Sequence, residues 1–548
     1  MGQHHAAREG GGVLRLDDRL RPVRRSRSGG IVGFRRIALS PRIQVSNPSE
    51  MAGMENKMRQ IHFVLLLASA LTPPLAAVAQ TTQATIDPAA IERDKLLARD
   101  LAAAVNADAR ARAEWAAKYH SQREGAYSQS DLAKMLEDIA RVSRGVTVTG
   151  NDRKNGWLRI DLRAANGKSG KLLLDTDGSP SNGVTRFNAY ARPSAYPTQL
   201  IAQPVSRAAL RKAIDDRLRF AAARDEFSGS VLVMKNGELI YSGAFGQANK
   251  NFNVPNTMDT RFHTGSMDKM FTAVLIGQLI EQGRLTLDTR VVDVLPDYPN
   301  ADAAKAITIR HLLSHQSGVA SSFGDPEIDR FRPFERVSEL LPRFAAKPLD
   351  FTPGTQAGYS NEGFILLGAI VEKLTGQSYY DAVQSRVFDR AGMKNTIYYR
   401  VDEISPLRAE GYRFPDSDFL GFGTRIGNST FQGRGYRGNS CGGAYSTAGD
   451  MTRFLQALRA GKLLSPAMAE EMTGLQKGYN QYGYGFLHRK IGDKTVRGHN
   501  GGGAFSGINS MSRIVWETGY TVVAMGNYDA PLIEWVGDDI VHMVAAQS

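Results

Sequence analysis

Cysteine is almost missing from this chain: Cys441 is the single one in 548 residues. No internal disulfide can form, so the fold must rest on its core alone, which the length permits. Aromatic residues make up only 8% and never interleave with a basic stripe, which argues against nucleic-acid binding. Long apolar runs are absent too. The stretch Ile61 to Leu71 falls well short of the roughly 20 residues a membrane-spanning helix requires. What remains, 42% hydrophobic and 22% charged, is the composition of a globular protein with more than one domain.

The formal net charge is +13, but it is unevenly spread. Residues 1–50 hold ten Arg, no Lys and four acids, a net +6; residues 51–79 add +1, leaving a mild +6 for all the rest. Residues 51–79 read as a secretory signal: Lys57 and Arg59, then Phe63-Val64-Leu65-Leu66-Leu67, then Ala77-Val78-Ala79 before Gln80. Periplasmic or secreted location after cleavage near Ala79-Gln80 is the expectation. A signal comes first in a chain, so the Arg- and Gly-rich residues 1–50 are expected to be a non-native or disordered leader, with Met51, Met54 and Met58 as later starts.

Residues 80–191 predict a small α+β accessory domain. A helix is expected over Ala89 to Lys118, another over Ser130 to Val142, and then strands at Val146–Val148, Trp157–Leu162 and Lys171–Leu174. Residues 192–204, with three prolines, read as a linker. The domain over 205–548 opens with a helix near Ser206 to Ala223. A hairpin follows, Gly229 to Lys235 and Glu238 to Phe245 about Asn236-Gly237. Residues from Ser266 to about Leu458 are mainly helical in pattern. Strands return at Tyr484–Lys490, Lys494–Gly498, Ile508–Val515 and Tyr520–Met525, before a last helix, Leu532 to Ala546. Strands at both ends of one domain must meet in one sheet. The fold class is therefore α+β: an antiparallel sheet flanked by helices, with an inserted helical lobe and a cleft between the two.

Ser266-Met267-Asp268-Lys269 is the one Ser-x-x-Lys in the chain. A spacing of three stacks Ser266 and Lys269 on one helix face, at a helix N-terminus where free N–H groups favour negative charge. An amine beside a hydroxyl in that field makes a serine nucleophilic, which points to acyl transfer through a serine ester. Two further segments follow in order, Tyr359-Ser360-Asn361 and His499-Asn500-Gly501. With His311-Leu312-Leu313-Ser314-His315-Gln316-Ser317-Gly318 and Gly442-Gly443-Ala444-Tyr445-Ser446-Thr447, they make residues 205–545 resemble the serine β-lactamase and penicillin-binding-protein superfamily. The resemblance is to the class C β-lactamase-like branch, which includes D,D-peptidases, D-aminopeptidases and carboxylesterases.

The resemblance implies that Ser266 attacks a carbonyl while Lys269 and Tyr359 share its proton as a coupled pair. It implies an oxyanion hole from the Ser266 and Gly502 N–H groups, and a site role for His499. It also implies substrate contacts from Asn500 and Gly501, and from Asn361 an amide for a substrate carbonyl or for Lys269. Such chemistry needs no metal and no organic cofactor. The usual third motif is Lys-Thr/Ser-Gly; His499 and Asn500 depart from it and weaken the β-lactamase reading. The expectation is thus an exported serine hydrolase acting on a small-molecule ester, lactam or peptide. A β-lactamase or penicillin-binding D,D-peptidase is the first alternative, and a catalytically inactive binding module the second.

Several decoys are set aside. Gly438-Asn439-Ser440-Cys441-Gly442 fits Gly-x-Ser-x-Gly, but loop flanks it where a nucleophile elbow needs strand and helix. His311 and His315 have metal-like spacing without the zincin glutamate or a third ligand. Tyr298-Pro299-Asn300 lies in a turn, and Cys441 has no activating neighbour.

Overall fold

The structure, a computed structural model, describes residues 88–322, 332–427, 436–476, 481–503 and 506–547. The leader and signal expected over residues 1–79 lie outside these residues. So does Ala504, next to the third motif.

Three helices come first, α1 (Pro88–Asn106), α2 (Ala109–Tyr119) and α3 (Gln129–Ser143). The Ala-rich stretch expected as one helix is two. Asp108 turns out of the first and caps the second, its carboxylate accepting from Ala111 N at 2.9 Å. Ser128 and Asp131 form a capping box at the start of α3. A four-stranded antiparallel meander follows: β1 (Val146–Lys154), β2 (Trp157–Ala164), β3 (Ser169–Thr176) and β4 (Val184–Arg192). β4 was not foreseen, and it carries Arg192, read as linker, into register with Ser169. Its apolar residues do not alternate strictly, so the pairing with β3 rather than a strong pattern makes it a strand. Leu158, Ile160, Leu172 and Leu174 on one face of the sheet meet Leu97, Leu101, Leu132 and Leu136 of the helices.

The second unit starts with α4 (Arg207–Ala222), capped by Ser206, and the hairpin β5 (Gly229–Lys235) and β6 (Glu238–Phe245). Asn236 and Gly237 both sit at positive φ, 49° and 89°, as a tight hairpin turn demands. The lobe contains α5 (Lys269–Glu281), α6 (Ile309–Leu313), α7 (Asn361–Thr375), α8 (Ala448–Arg459) and α9 (Pro466–Thr473). The chain then returns through β7 (Leu487–Ile491), β8 (Lys494–Gly503), β9 (Ile508–Val515) and β10 (Tyr520–Gly526) to α10 (Leu532–Ala545). The sheet order is β7-β8-β9-β10-β5-β6, antiparallel throughout. β10 pairs with β5 from Tyr520↔Lys235 to Gly526↔Gly229, which joins the two ends of the unit. Every residue of β9 and β10 is buried, because α4 and α10 cover one face and the lobe covers the other. α5 is buried on all sides from Lys269 to Leu279, the mark of a helix at the centre of a fold. Among the described residues no helix is long and apolar enough to cross a membrane.

An arm of the second unit reaches back into the first. Leu420 and Phe422 complete the core beneath β1–β4. Asn166 and Lys168 donate to the Phe422 and Gly423 carbonyls, both at 2.6 Å. Asp418 holds the arm's bend by accepting from Phe422 N and Gly423 N. On the other side, the Tyr190 ring stands edge-on to Trp535 of α10 at 5.4 Å. Phe422 is fully buried, so Phe422→Ala is expected to lose about 3–5 kcal/mol of stability. Differential scanning calorimetry should show the loss in the transition that reports β1–β4.

Candidate active site

Ser266 lies in a short 3-10 turn, Gly265–Asp268, that leads into α5. Gly265 has φ +54°, and a Cβ on it would stand 2.6 Å from Gly502 N. A Cβ on Gly501 would stand 1.8 Å from Thr264 O and 2.9 Å from Ser266 N. Two backbones therefore meet here with no side chain between them, which only glycine allows. This contact brings the Ser266 and Gly502 N–H groups, which belong to separate segments, onto one site. Behind it, Asp268 is fully buried and accepts from Thr264 Oγ1 at 2.5 Å and Ala444 N at 2.8 Å. Burial pushes its carboxyl up to about 7 against the pull of those donors.

Lys269 is 0% exposed, and its Nζ has three acceptors: Asn361 Oδ1 at 2.7 Å, Cys441 O at 2.8 Å and Ser266 Oγ at 3.3 Å. A buried amine needs such partners, because an unmet donor costs free energy. Asn361 is the first residue of α7; Ser360 caps that helix by accepting from Gly363 N at 3.0 Å. The cap fixes where Asn361 points. Tyr359, one residue earlier, meets the lysine through its ring, whose centroid is 4.8 Å from Nζ. The Phe364 ring is 5.5 Å from the same atom.

The far wall holds a connected set of polar rings. His315, at φ +57° just past α6, lies against Tyr359 with centroids 4.3 Å apart. Its Nε2 is 3.1 Å from Tyr482 Oη, which is 2.9 Å from His499 Nε2. Burial drives both imidazoles down, His499 to about 3 and His315 well below its ordinary value, with Lys269 acting in the same direction.

A beta-lactamase family model matches residues 211–546, more than half of the chain. The chain belongs to the beta-lactamase family. Its similarity to penicillin-binding protein 4 of Amycolatopsis lactamdurans is 39% identity over 184 residues, 33% of this chain; the chain spans about half (47%) of that relative's length. Esterase EstB of Burkholderia gladioli is 29% identical over 336 residues, 55% of this chain and 84% of the esterase. Among solved structures, the penicillin-binding protein from Bacillus halodurans has a TM-score of 0.50 at 30% identity, covering 60% of this chain and 98% of its own. The D-amino acid amidase from Ochrobactrum anthropi SV3 has a TM-score of 0.51 at 25% identity, covering 62% and 99%. The matched part of the chain is a serine-hydrolase domain of this family.

Within this beta-lactamase-family domain, the geometry gathers Ser266, Lys269, Asn361, Tyr359 and Gly502 and places the other expected residues apart from them. Asn361 serves Lys269. His499, expected as a catalytic group, has both ring nitrogens engaged, Nε2 by Tyr482 and Nδ1 by Asn500 O at 2.5 Å. It is a wall residue. Asn500, expected to bind substrate, follows His499 on a strand and so points to the other face, where its amide donates to Glu534 of α10 at 2.8 Å. Gly501, expected likewise, is packed against Thr264 and Ser266; Gly502 is the exposed glycine.

Sequence reasoning missed Tyr482 and the Cys441 carbonyl. The only signal for Tyr482 was the glycine-spaced pair Tyr482-Gly483-Tyr484-Gly485. Ser440 is fully buried, and burial pushes the Cys441 thiol up to about 11, so neither is a nucleophile. His311 accepts from Thr308 N at 3.3 Å within its own helix start.

A histidine held neutral in the fold and protonated when unfolded makes stability rise with pH between its two pKa values. The His499 contribution is therefore complete above pH ~6.5 and is lost as the pH falls toward 3. Asp268 and Asp529, raised to about 7 and about 6, act the other way, their contribution fading as the pH rises through those values. Comparing wild type with His499→Gln removes the aspartates from the balance. From pH 6.5 to 4, wild type should lose up to about 1.4 kcal/mol per pH unit more than the variant in urea unfolding. Equal slopes would mean that the imidazole at 499 is charged in the fold.

Proposed function

We propose that the protein is an exported serine hydrolase that cleaves ester or amide bonds through an acyl-serine at Ser266. The observation that carries this reading is the Lys269 Nζ held 3.3 Å from Ser266 Oγ by two stronger contacts, Asn361 Oδ1 and Cys441 O. Proton transfer from the serine requires the amine in its neutral form, whose two N–H bonds would serve those two acceptors while the lone pair faces the serine hydroxyl. Ser266 Oγ then attacks the carbonyl carbon as its proton passes to the amine. Negative charge collects on the carbonyl oxygen, between the Ser266 and Gly502 N–H groups; a donor of this kind is worth about 3 kcal/mol. The proton moves by way of Lys269 and Tyr359 to the leaving alcohol or amine as its bond to carbon breaks. Water repeats the sequence and frees the acid. Export rests on the signal pattern of residues 51–79.

Substrate preference follows from His499. The family motif usually puts a lysine at this place, a fixed cation for a substrate carboxylate. A buried neutral imidazole offers no such charge. Uncharged esters and amides fit this wall better than lactams or peptides that end in a carboxylate. The esterase and the D-amino acid amidase among the similar proteins support the same choice.

A fluorescent phosphonate should label wild type and leave Ser266→Ala unlabelled; absence of labelling in wild type would indicate the binding-module alternative. Lys269→Ala should lower kcat/KM by about 10²–10⁴-fold. On p-nitrophenyl butyrate, a chromogenic cephalosporin and a D-Ala-D-Ala peptide, the ester should be turned over fastest. Preference for either of the other two would transfer the assignment to the lactamase or D,D-peptidase reading. The mature N-terminus in a periplasmic or culture fraction should be Gln80.

A further inference from the structure

We infer that Tyr482 is a positioning residue of the active site, whose phenol bridges His315 and His499 and so ties the second motif to the third across the floor of the cleft. The inference rests on the reading of Ser266 as nucleophile and adds a residue that no sequence motif assigns. Four hydrogen bonds run in series. Ser360 N–H donates to His315 Nδ1 at 3.1 Å, inside Tyr359-Ser360-Asn361. His315 Nε2 and Tyr482 Oη are 3.1 Å apart, and Tyr482 Oη and His499 Nε2 are 2.9 Å apart. His499 Nδ1 ends the series on Asn500 O, inside the third motif, at 2.5 Å.

The two ends set the direction of every proton. A backbone N–H can only donate, so His315 Nδ1 accepts and its Nε2 carries hydrogen. A carbonyl can only accept, so His499 Nδ1 carries hydrogen, and with burial holding the ring neutral its Nε2 accepts. Tyr482 is the one kind of group that closes such a series, because a hydroxyl accepts from one imidazole and donates to the other. Both imidazoles are then neutral, each in a single tautomer. All three side chains are buried, His315 at 0%, Tyr482 at 2% and His499 at 4% exposure, so water cannot replace a lost link.

Neutrality matters because of what stands nearby. Among the described residues, the charged and titratable groups beside these rings are Lys269 from α5 and Tyr359 ahead of α7, while Arg513 of β9 acts on His499 from the other face of the sheet. A proton on either imidazole would set a cation beside Lys269 and under the Tyr359 ring. On His499 it would also take the lone pair to which the Tyr482 hydroxyl donates, and on His315 the lone pair that accepts from Ser360 N–H. The bridge thus keeps charge away from the proton-transfer pair while holding Tyr359 and β8 at a fixed separation.

Tyr482→Phe removes one oxygen and leaves a buried donor on His315 and a buried acceptor on His499. Per phosphonate-labelled site, kcat is expected to fall about 10–100-fold with KM changed less than about threefold, and the acid limb of kcat/KM to move to higher pH, because His499 Nε2 is free to take a proton. A merely structural tyrosine would reduce the labelled fraction and leave both kcat per site and the pH profile as in wild type; that result overturns the inference. Nitrogen-15 spectra of histidine-labelled wild type test it without any variant. His499 should show the Nδ1–H tautomer and His315 the Nε2–H tautomer, neither titrating between pH 5 and 8. The opposite tautomer, or a charged ring, at either position overturns it even if Tyr482→Phe does not fold. Loss of Ser266 labelling in wild type would strike the catalytic reading instead, and the spectra would still judge the bridge.

Discussion

An amine buried at the centre of the protein constrains the rest of the structure. Lys269 has left water completely, and leaving it without partners would cost several kcal/mol. Its partners come from three places: the turn that begins α5, the first residue of α7, and the backbone at Cys441. Each partner is fixed by its own local device. Ser360 caps α7 and so aims Asn361, and Asp268 anchors the loop after Cys441 through Ala444 N. The amine is thereby held against the Ser266 hydroxyl, and three segments of the lobe are held together by the same contacts.

A second constraint is the approach of bare backbone to bare backbone. Gly265 and Gly501 let the serine turn and β8 come within a distance that any side chain would prevent. That approach brings the Ser266 and Gly502 N–H groups, from distant segments, to one place. The β10–β5 pairing joins the two ends of the unit in the sheet that carries β8.

Much of this was legible along the chain. The Ser266–Lys269 pair follows from helical spacing, and Tyr359 and Asn361 from the resemblance of Tyr359-Ser360-Asn361 to the family's second motif. The hairpin about Asn236-Gly237 and the strands β9 and β10 follow from turn chemistry and apolar runs. Where reading failed, a choice between near-equal local states was settled by distant contacts. Asp108 ends α1 and starts α2 inside a sequence of good helix formers, and β4 becomes a strand because β3 offers it a ladder. His499 and Asn500 were grouped through the resemblance of His499-Asn500-Gly501 to the family's third motif, but strand alternation sends them to opposite faces, one to Tyr482 and one to Glu534.

The sequence by itself determined the pairing of Ser266 with Lys269, the α+β class and the single-cysteine reliance on a packed core. Those features depend on residue type and short-range periodicity, which a chain carries in any conformation. Tertiary structure alone decided that His499 is neutral, that Tyr482 joins it to His315, and that Leu420 and Phe422 complete the core of a unit far from them in the chain. The charge of an imidazole is set by the water it has lost and the donors it faces, and no local pattern records either.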